Sequence, residues 1–282
     1  MKSHNSISIA AISMARNDGI FISKWIDYYG RELGTGNLFL LLDGLDQPLP
    51  RGYENLNVIR LPHRELPRAA GDRNRSRLVS HFARGLFHRY DTIIAHDIDE
   101  YLVVDPLTGS SLPEYLSRSR NCRSLSALGL DVGQHPVNEQ PVDPTLPFLE
   151  QRSYAHVSAR YTKPVVANAP LTWGSGFHRV KGRNFRIDPN LFLFHFGMVD
   201  YKVAEEKKGD SSLHKAGWTR HLERRNEIFN LITTREAADG DSFFREARRR
   251  QSLLRPLFAL NKPGMLSEKP VIRIPERFRN IL

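Results

Sequence analysis

The chain has 282 residues, of which 40% are hydrophobic, 26% charged and 10% aromatic. That length suits one large domain or two small ones, and the composition excludes wholesale disorder and collagen-like repeats. Lys and Arg number 41 against 31 Asp and Glu, a net charge of +10, and Arg supplies 31 of those cations. An arginine surplus points to phosphate or carboxylate partners. Alone, it does not separate a nucleic-acid binder, a membrane-surface protein and an enzyme with an anionic substrate.

Residues 7–14 form a short apolar, β-branched run that ends at Arg16-Asn17-Asp18-Gly19, which predicts a strand followed by a turn. Ile20, Phe21, Trp25, Ile26 and Tyr29 then recur at helical spacing, with Gly30 and Gly34 as the stop. Residues 38–42 and 58–61 read as buried strands. Over residues 68–90, Leu78, Phe82, Leu86 and Phe87 mark one face of a helix with a basic opposite face. Residues 92–95 read as a fourth strand leading into His96-Asp97-Ile98-Asp99-Glu100, with a turn at Tyr101-Leu102. Strands alternating with helices predict an α/β fold with a mostly parallel sheet whose active-site loops lie at the carboxyl ends of the strands.

Beyond Asp99 a helix is expected over residues 112–119, a strand over 124–132, and an ordered Pro-rich loop or lid over 134–147. Further strands are expected near residues 154–161, 171–180 and 191–196. Residues 201–282 hold 18 Lys and Arg against 11 Asp and Glu, so they supply +7 of the +10. Trp218, Leu222, Phe229 and Ile232 suit one amphipathic helix there. Phe244, Ala247, Leu253 and Leu254 suit another, with Arg248-Arg249-Arg250 exposed. The lone Cys122 excludes an intrachain disulfide and fits a reducing, cytoplasmic setting. Residues 1–14 lack the continuous apolar core of a signal peptide, and no stretch is apolar enough to span a membrane.

The chemistry concentrates at Asp97-Ile98-Asp99, two carboxylates just past an apolar strand that can approach one hard divalent ion together with diphosphate oxygens. Arg73 and Arg77, one helical turn apart, share a face and are candidates for bidentate phosphate contacts. Asp131 ends a strand and is the first candidate for a general base, with Glu150 and Asp188 as alternatives. No P-loop, dinucleotide fingerprint or zinc-ligand spacing occurs.

Arg16-Asn17-Asp18-Gly19 followed by a Trp-containing helix resembles the opening of a family-2-like glycosyltransferase, and Asp97-Ile98-Asp99-Glu100-Tyr101-Leu102 is similar to that family's Asp-x-Asp-Glu signature. Lys163-Pro164, the segment from Trp173 to His178, and Leu193-Phe194-His195-Phe196 follow in the family's order, so the resemblance runs over residues 7–208. It implies a GT-A (Rossmann-like) mixed sheet flanked by helices over residues 1–200, with a basic helical extension over 201–282 packed on it. It further implies Arg16, Asn17, Asp18, Asp43, Asp97 and Lys163 beside a nucleotide-sugar. Asp97, Asp99 and His195 would lie around Mn²⁺ or Mg²⁺, and Trp173, Gly176 and His178 beside the acceptor. Asp18 stands where the family commonly has Glu, one methylene longer.

The expected activity is metal-dependent transfer of a sugar to a glycan or lipid-linked acceptor, in bacterial surface polysaccharide synthesis. The enzyme is expected in the cytoplasm, at the inner face of the membrane if the basic extension makes a peripheral contact with it. The alternatives are a non-catalytic basic nucleic-acid-binding protein and a nucleotidyltransferase of related fold. Acids at a site loop weaken a nucleic-acid surface, so no nucleic-acid partner is expected, and the single glycine in the first turn argues against the nucleotidyltransferase.

Overall fold

A computed structural model describes residues 7–119, 121–182, 185–209, 219–255 and 257–282. The chain opens with strand β1 (Ile9–Ala15), helix α1 (Gly19–Leu33), β2 (Leu38–Asp43), β3 (Asn57–Leu61), α2 (Arg68–Leu86), β4 (Thr92–Ala95) and β5 (Glu100–Val104). It continues through α3 (Leu112–Ser117), β6 (Ser124–Gly133), α4 (Phe148–Gln151), β7 (Tyr154–Val157), β8 (Val166–Ala167) and β9 (Ile187–Met198). Last come α5 (Tyr201–Gly209), α6 (Thr219–Thr234), β10 (Ala238–Asp239), α7 (Gly240–Leu253) and β11 (Val271–Arg273).

The strands join one mixed sheet in the order β10-β11-β7-β6-β8-β4-β1-β2-β3, with β9 pairing both β5 and β6. Strands β1 to β4 are mutually parallel. Because β8 runs antiparallel to both β4 and β6, β6 runs in the direction of β4, and β9 runs parallel to β6. The carboxyl ends of β1, β2, β3, β4, β6 and β9 therefore point toward one edge. The sheet is flanked by helices in a Rossmann-like α/β arrangement, as the alternation of elements predicts.

Side-chain alternation divides the core in two. Ile9, Ala11, Leu38, Leu40 and Leu42 face α1, which presents Phe21, Ile22, Trp25, Tyr28 and Tyr29. Ala10, Ile12, Leu41, Ile93 and Ala95 face α2 through Val79 and Ala83, joined by Trp173 and Phe177. The buried stripe of α2 is Ser76, Val79, Ser80 and Ala83, whereas Leu78, Phe82 and Leu86 are only half-buried along its flank. The two serines are wanted inside because their hydroxyls accept the N–H groups of Gly176 and Trp173, both at 3.0 Å.

Several expectations change. The turn expected at Tyr101-Leu102 is the middle of β5, which is buried throughout because it pairs antiparallel with β9 on the inner part of the sheet. The strand expected over 171–180 reduces to a single bridge between Trp173 and Val180 around the 3₁₀ turn Ser175–Phe177. Gly176 (φ 63°) and Phe177 (φ 58°) turn the backbone left-handed there, which no strand tolerates. Strand β7 stops at Val157, and the chain then crosses over β6 at Gly129. A Cβ at Gly129 would lie 2.1 Å from the Tyr161 carbonyl carbon, so only glycine admits the crossing.

The C-terminal segment carries helices α5 to α7 but also adds β10 and β11 to the sheet. Trp218 lies outside the described residues, while Phe229 and Ile232 are buried on α6 as expected. The triple arginine of α7 is not an exposed row. Arg248 lies 4.5 Å over the Phe192 ring, where burial lowers its pKa to about 10, while Arg249 pairs with Glu246 and Arg250 with Glu268. Helical spacing puts Arg248 beside the inward-facing Phe244 and Ala247, which is why it turns inward. Among the described residues, no helix is long and apolar enough to cross a membrane.

The Gly129 crossing gives a direct check: Gly129→Ala is expected to lower the free energy of unfolding by about 3 kcal/mol or more, since backbone rather than a movable side chain blocks the methyl. Urea denaturation of the variant against the wild type measures it.

Candidate active site at the carboxyl edge of the sheet

The residue pairing of the strands fixes the centre of the site. Glu100 of β5 pairs with His195 of β9, and His195 pairs with Asp131 of β6, so three ionisable side chains stand in one row across neighbouring strands. His195 Nδ1 lies 2.6 Å from Asp131 Oδ1, and its Nε2 lies 3.3 Å from Asp99 Oδ2. The Tyr161 ring stacks on the imidazole at 3.8 Å between centroids, delivered there by the crossing at Gly129. Burial opposes a charge on His195, but Asp99 and Asp131 outweigh it and raise the pKa to about 9. His195 is thus an imidazolium clamped between two carboxylates.

Beside this row lies a second charge cluster. The buried Lys163 ammonium donates to Asp97 Oδ2 at 3.0 Å and to Glu100 Oε1. Arg75 of α2 closes on Asp97 Oδ1 at 2.9 Å. Burial works against all of these charges. Arg75 and Lys163 nonetheless hold Asp97 well below the usual carboxylate range, and the two acids keep Lys163 above the usual lysine value. For Glu100 burial wins, and its pKa rises to about 7. His96 supports the loop from beneath. Its Nδ1 contacts the Asp97 carbonyl at 2.8 Å and its Nε2 the Tyr29 hydroxyl at 2.7 Å, while burial lowers its pKa to about 4 and keeps the ring neutral.

The end of β1 makes a separate corner. Arg16 donates to the Asp43 carbonyl at 2.6 Å and forks onto Asp46 at 3.0 and 3.1 Å. Gly44 (φ 141°) lets it pass, because a Cβ there would lie 2.2 Å from the Arg16 guanidinium. Asn17 sits left-handed at φ 56° and exchanges hydrogen bonds with Gln47, and Asp18 stands at the N-cap of α1 without capping it. The Asp43 carboxylate meets His63 Nδ1 at 3.0 Å.

The structure therefore gathers Asp97, Asp99, Asp131, Lys163 and His195 in one cluster, and Arg16, Asn17, Asp18 and Asp43 at the neighbouring strand ends. Arg73 and Arg77 are exposed, and the guanidinium that reaches Asp97 belongs to Arg75 between them. At about 100° per residue, Arg75 points to the face opposite its two neighbours. Trp173 is buried, donating from its indole to the Pro164 carbonyl at 2.7 Å, and Gly176 is tied to Ser76. His178 contacts the Arg160 carbonyl through Nδ1 at 2.9 Å, with burial lowering its pKa to about 3. Of the other carboxylates, Glu150 is exposed on α4, and Asp188 sits at the far end of β9 against the Tyr115 hydroxyl at 2.8 Å. Glu100, Arg75 and Tyr161 are members of the cluster that the sequence reading did not place there. The paired carboxylates of Asp97-Ile98-Asp99-Glu100 demand buried cations, a signal that points to Lys163 but not to which arginine.

Among the described residues, no group of three or more His, Cys, Asp and Glu side chains is arranged to hold a metal ion. Asp99 and His195 suit a divalent ion as a pair, because Asp131 at Nδ1 aims Nε2 at the Asp99 carboxylate in the way outer carboxylates orient metal-binding imidazoles. Asp97 is already neutralised by Arg75 and Lys163 and stands behind that pair.

No protein-family model matches the chain, and no curated protein matches it. Among solved structures, the mannose-1-phosphate geranyltransferase from Thermus thermophilus is similar at a TM-score of 0.31 and 10% identity, over 85% of this chain and 68% of that one.

Two outcomes test this electrostatic picture. Lys163→Met leaves the buried Glu100 without its cation and Asp97 with Arg75 alone, and is expected to cost about 3–5 kcal/mol of stability. In the metal-free protein His195 is expected to remain an imidazolium at neutral pH, with ¹⁵N chemical shifts that titrate near 9. Its folded pKa is raised, so its contribution to stability is complete below the ordinary histidine value of about 6.5 and is lost as the pH rises through about 9.

Proposed function

We propose that the chain is a metal-dependent glycosyltransferase that moves a sugar from a nucleotide-sugar to a glycan or lipid-linked acceptor. The supporting observation is the row Glu100, His195, Asp131, which brings an imidazole and two carboxylates to the strand ends beside Asp99. Ligands of open α/β sheets bind outside the carboxyl ends of the strands. The Arg16, Asn17, Asp18 and Asp43 corner is assigned to the nucleoside, and Asp99 with His195 to Mn²⁺ or Mg²⁺.

Glycosyl transfer expels a nucleoside diphosphate, and a bound divalent ion would neutralise the charge that develops on it. Lys163 and Arg75 hold Asp97 ionised and stiffen the loop, so the Asp99 carboxylate meets the donor preorganised. Asp131 is assigned as the base. One oxygen orients His195, and the other would take the acceptor hydroxyl proton. The segment from Trp173 to His178 walls the acceptor side, with backbone anchored by Ser76 and Ser80 so that Gly176 and His178 keep their places. Residues 1–200 are assigned as the catalytic domain, and residues 201–282 as an extension that packs on it and lends β10 and β11 to its sheet.

A thermal-shift and donor-hydrolysis screen of UDP- and GDP-sugars with Mn²⁺ tests this reading. At least one donor is expected to raise the melting temperature only with metal present, and Asp99→Asn to remove that shift and cut hydrolysis about a hundredfold or more. If no donor stabilises the protein, or the variant behaves like the wild type, the reading is wrong.

A further inference from the structure

From the end of α7 toward β11 the described residues expose several large apolar side chains. Leu257 is 90% exposed, Met265 76%, Leu253 70% and Leu254 59%. These residues are tied to one another. Gly264 donates to the Gln251 carbonyl at 2.7 Å, and Arg255 bridges the Ser252 and Leu260 carbonyls at 2.8 and 2.6 Å while covering the Phe185 ring. Ala259 and Leu266 are buried. Gly264 packs on the Leu254 backbone, so Leu254 and Met265 are neighbours in space although far apart in sequence. Burying Ala259 and Leu266 while leaving three leucines and a methionine in water is not how a loop folds for its own stability.

The surroundings are cationic. The α7 arginines are spent on Phe192, Glu246 and Glu268, but residues 179–187 hold four Arg and Lys and no acid, with Arg179, Lys181 and Arg186 exposed, and Lys262 lies in the loop itself. The two segments touch, since Asn261 donates to the Val180 carbonyl at 2.7 Å, and Val180 lies between the exposed Arg179 and Lys181. Protruding leucines beside exposed cations match the surface of an anionic bilayer, where the apolar tips enter the acyl boundary and the cations meet headgroup phosphates.

We infer that Leu253, Leu254, Leu257 and Met265 form a docking surface for an anionic lipid membrane, a role distinct from the inward-turned arginine cluster of α7. Val180 closes the bridge to Trp173, so docking would bring the acceptor-side hairpin of the proposed active site next to the bilayer. The docking itself needs neither donor nor metal, so its test and that of the transferase reading fail separately.

Cosedimentation of the full chain with vesicles tests it. The wild type is expected to bind vesicles of mixed phosphatidylglycerol and phosphatidylcholine but not of phosphatidylcholine alone. The double variant Leu257→Asp, Met265→Asp is expected to bind at least about tenfold more weakly with an unchanged melting temperature, both side chains being exposed. Wild-type protein that ignores the mixed vesicles, or a variant that binds as well as the wild type, overturns the inference. So does self-association of the wild type that the variant abolishes without any vesicle binding, which would assign the leucines to a second copy of the chain.

Discussion

Buried carboxylates need cations, and this requirement organises the whole carboxyl edge of the sheet. Asp97 and Glu100 lie where water does not neutralise them, and an isolated buried charge costs several kcal/mol. Lys163 meets both, and it can do so only because the segment preceding it passes over β6 at Gly129. The same passage lays Tyr161 on His195. One glycine thus determines the electrostatic partner of the Asp97 loop and the stacking partner of the imidazole.

The arrangement separates positioning from chemistry. Asp97, Glu100, Lys163 and Arg75 satisfy one another and hold the loop after β4, which Ser13 and Tyr29 brace from the core through His96. Asp99, His195 and Asp131 form the outer line, coupled to the inner cluster through the pairing of Glu100 with His195. Electrostatic preorganisation of this kind is what a reaction that builds negative charge on a leaving diphosphate requires.

Much of this was legible in the sequence. The apolar runs of β1, β2 and β4, the spacing of Trp25 and Tyr29, and the acids after β4 place the sheet, the first helix and the loop, because each rests on local periodicity. What was not legible depends on tertiary contact. Tyr101-Leu102 reads as a turn after a polar loop until β9 arrives to pair with β5. Arg75 carries no local mark that sets it apart from Arg73 and Arg77; only the direction of α2 over the Asp97 loop selects it. Likewise Arg248 belongs to a basic run in sequence, yet the rings of Phe192 and Phe244 draw it inside.

The positive charge of the chain takes a new meaning in this setting. Near the site, individual cations are spent on Asp97, Asp46 and Glu100, whereas the unbalanced surplus lies along the C-terminal segment and the hairpin it touches. The central claim concerns the carboxyl edge, and crystals soaked with Mn²⁺ and UDP or GDP test it most directly. The nucleoside is expected beside Arg16 and Asp43, with a metal-bridged diphosphate against Asp99 and His195. A nucleotide bound elsewhere, such as the open hollow lined by Arg84, Phe87 and Tyr90 at the opposite edge of the sheet, would contradict it.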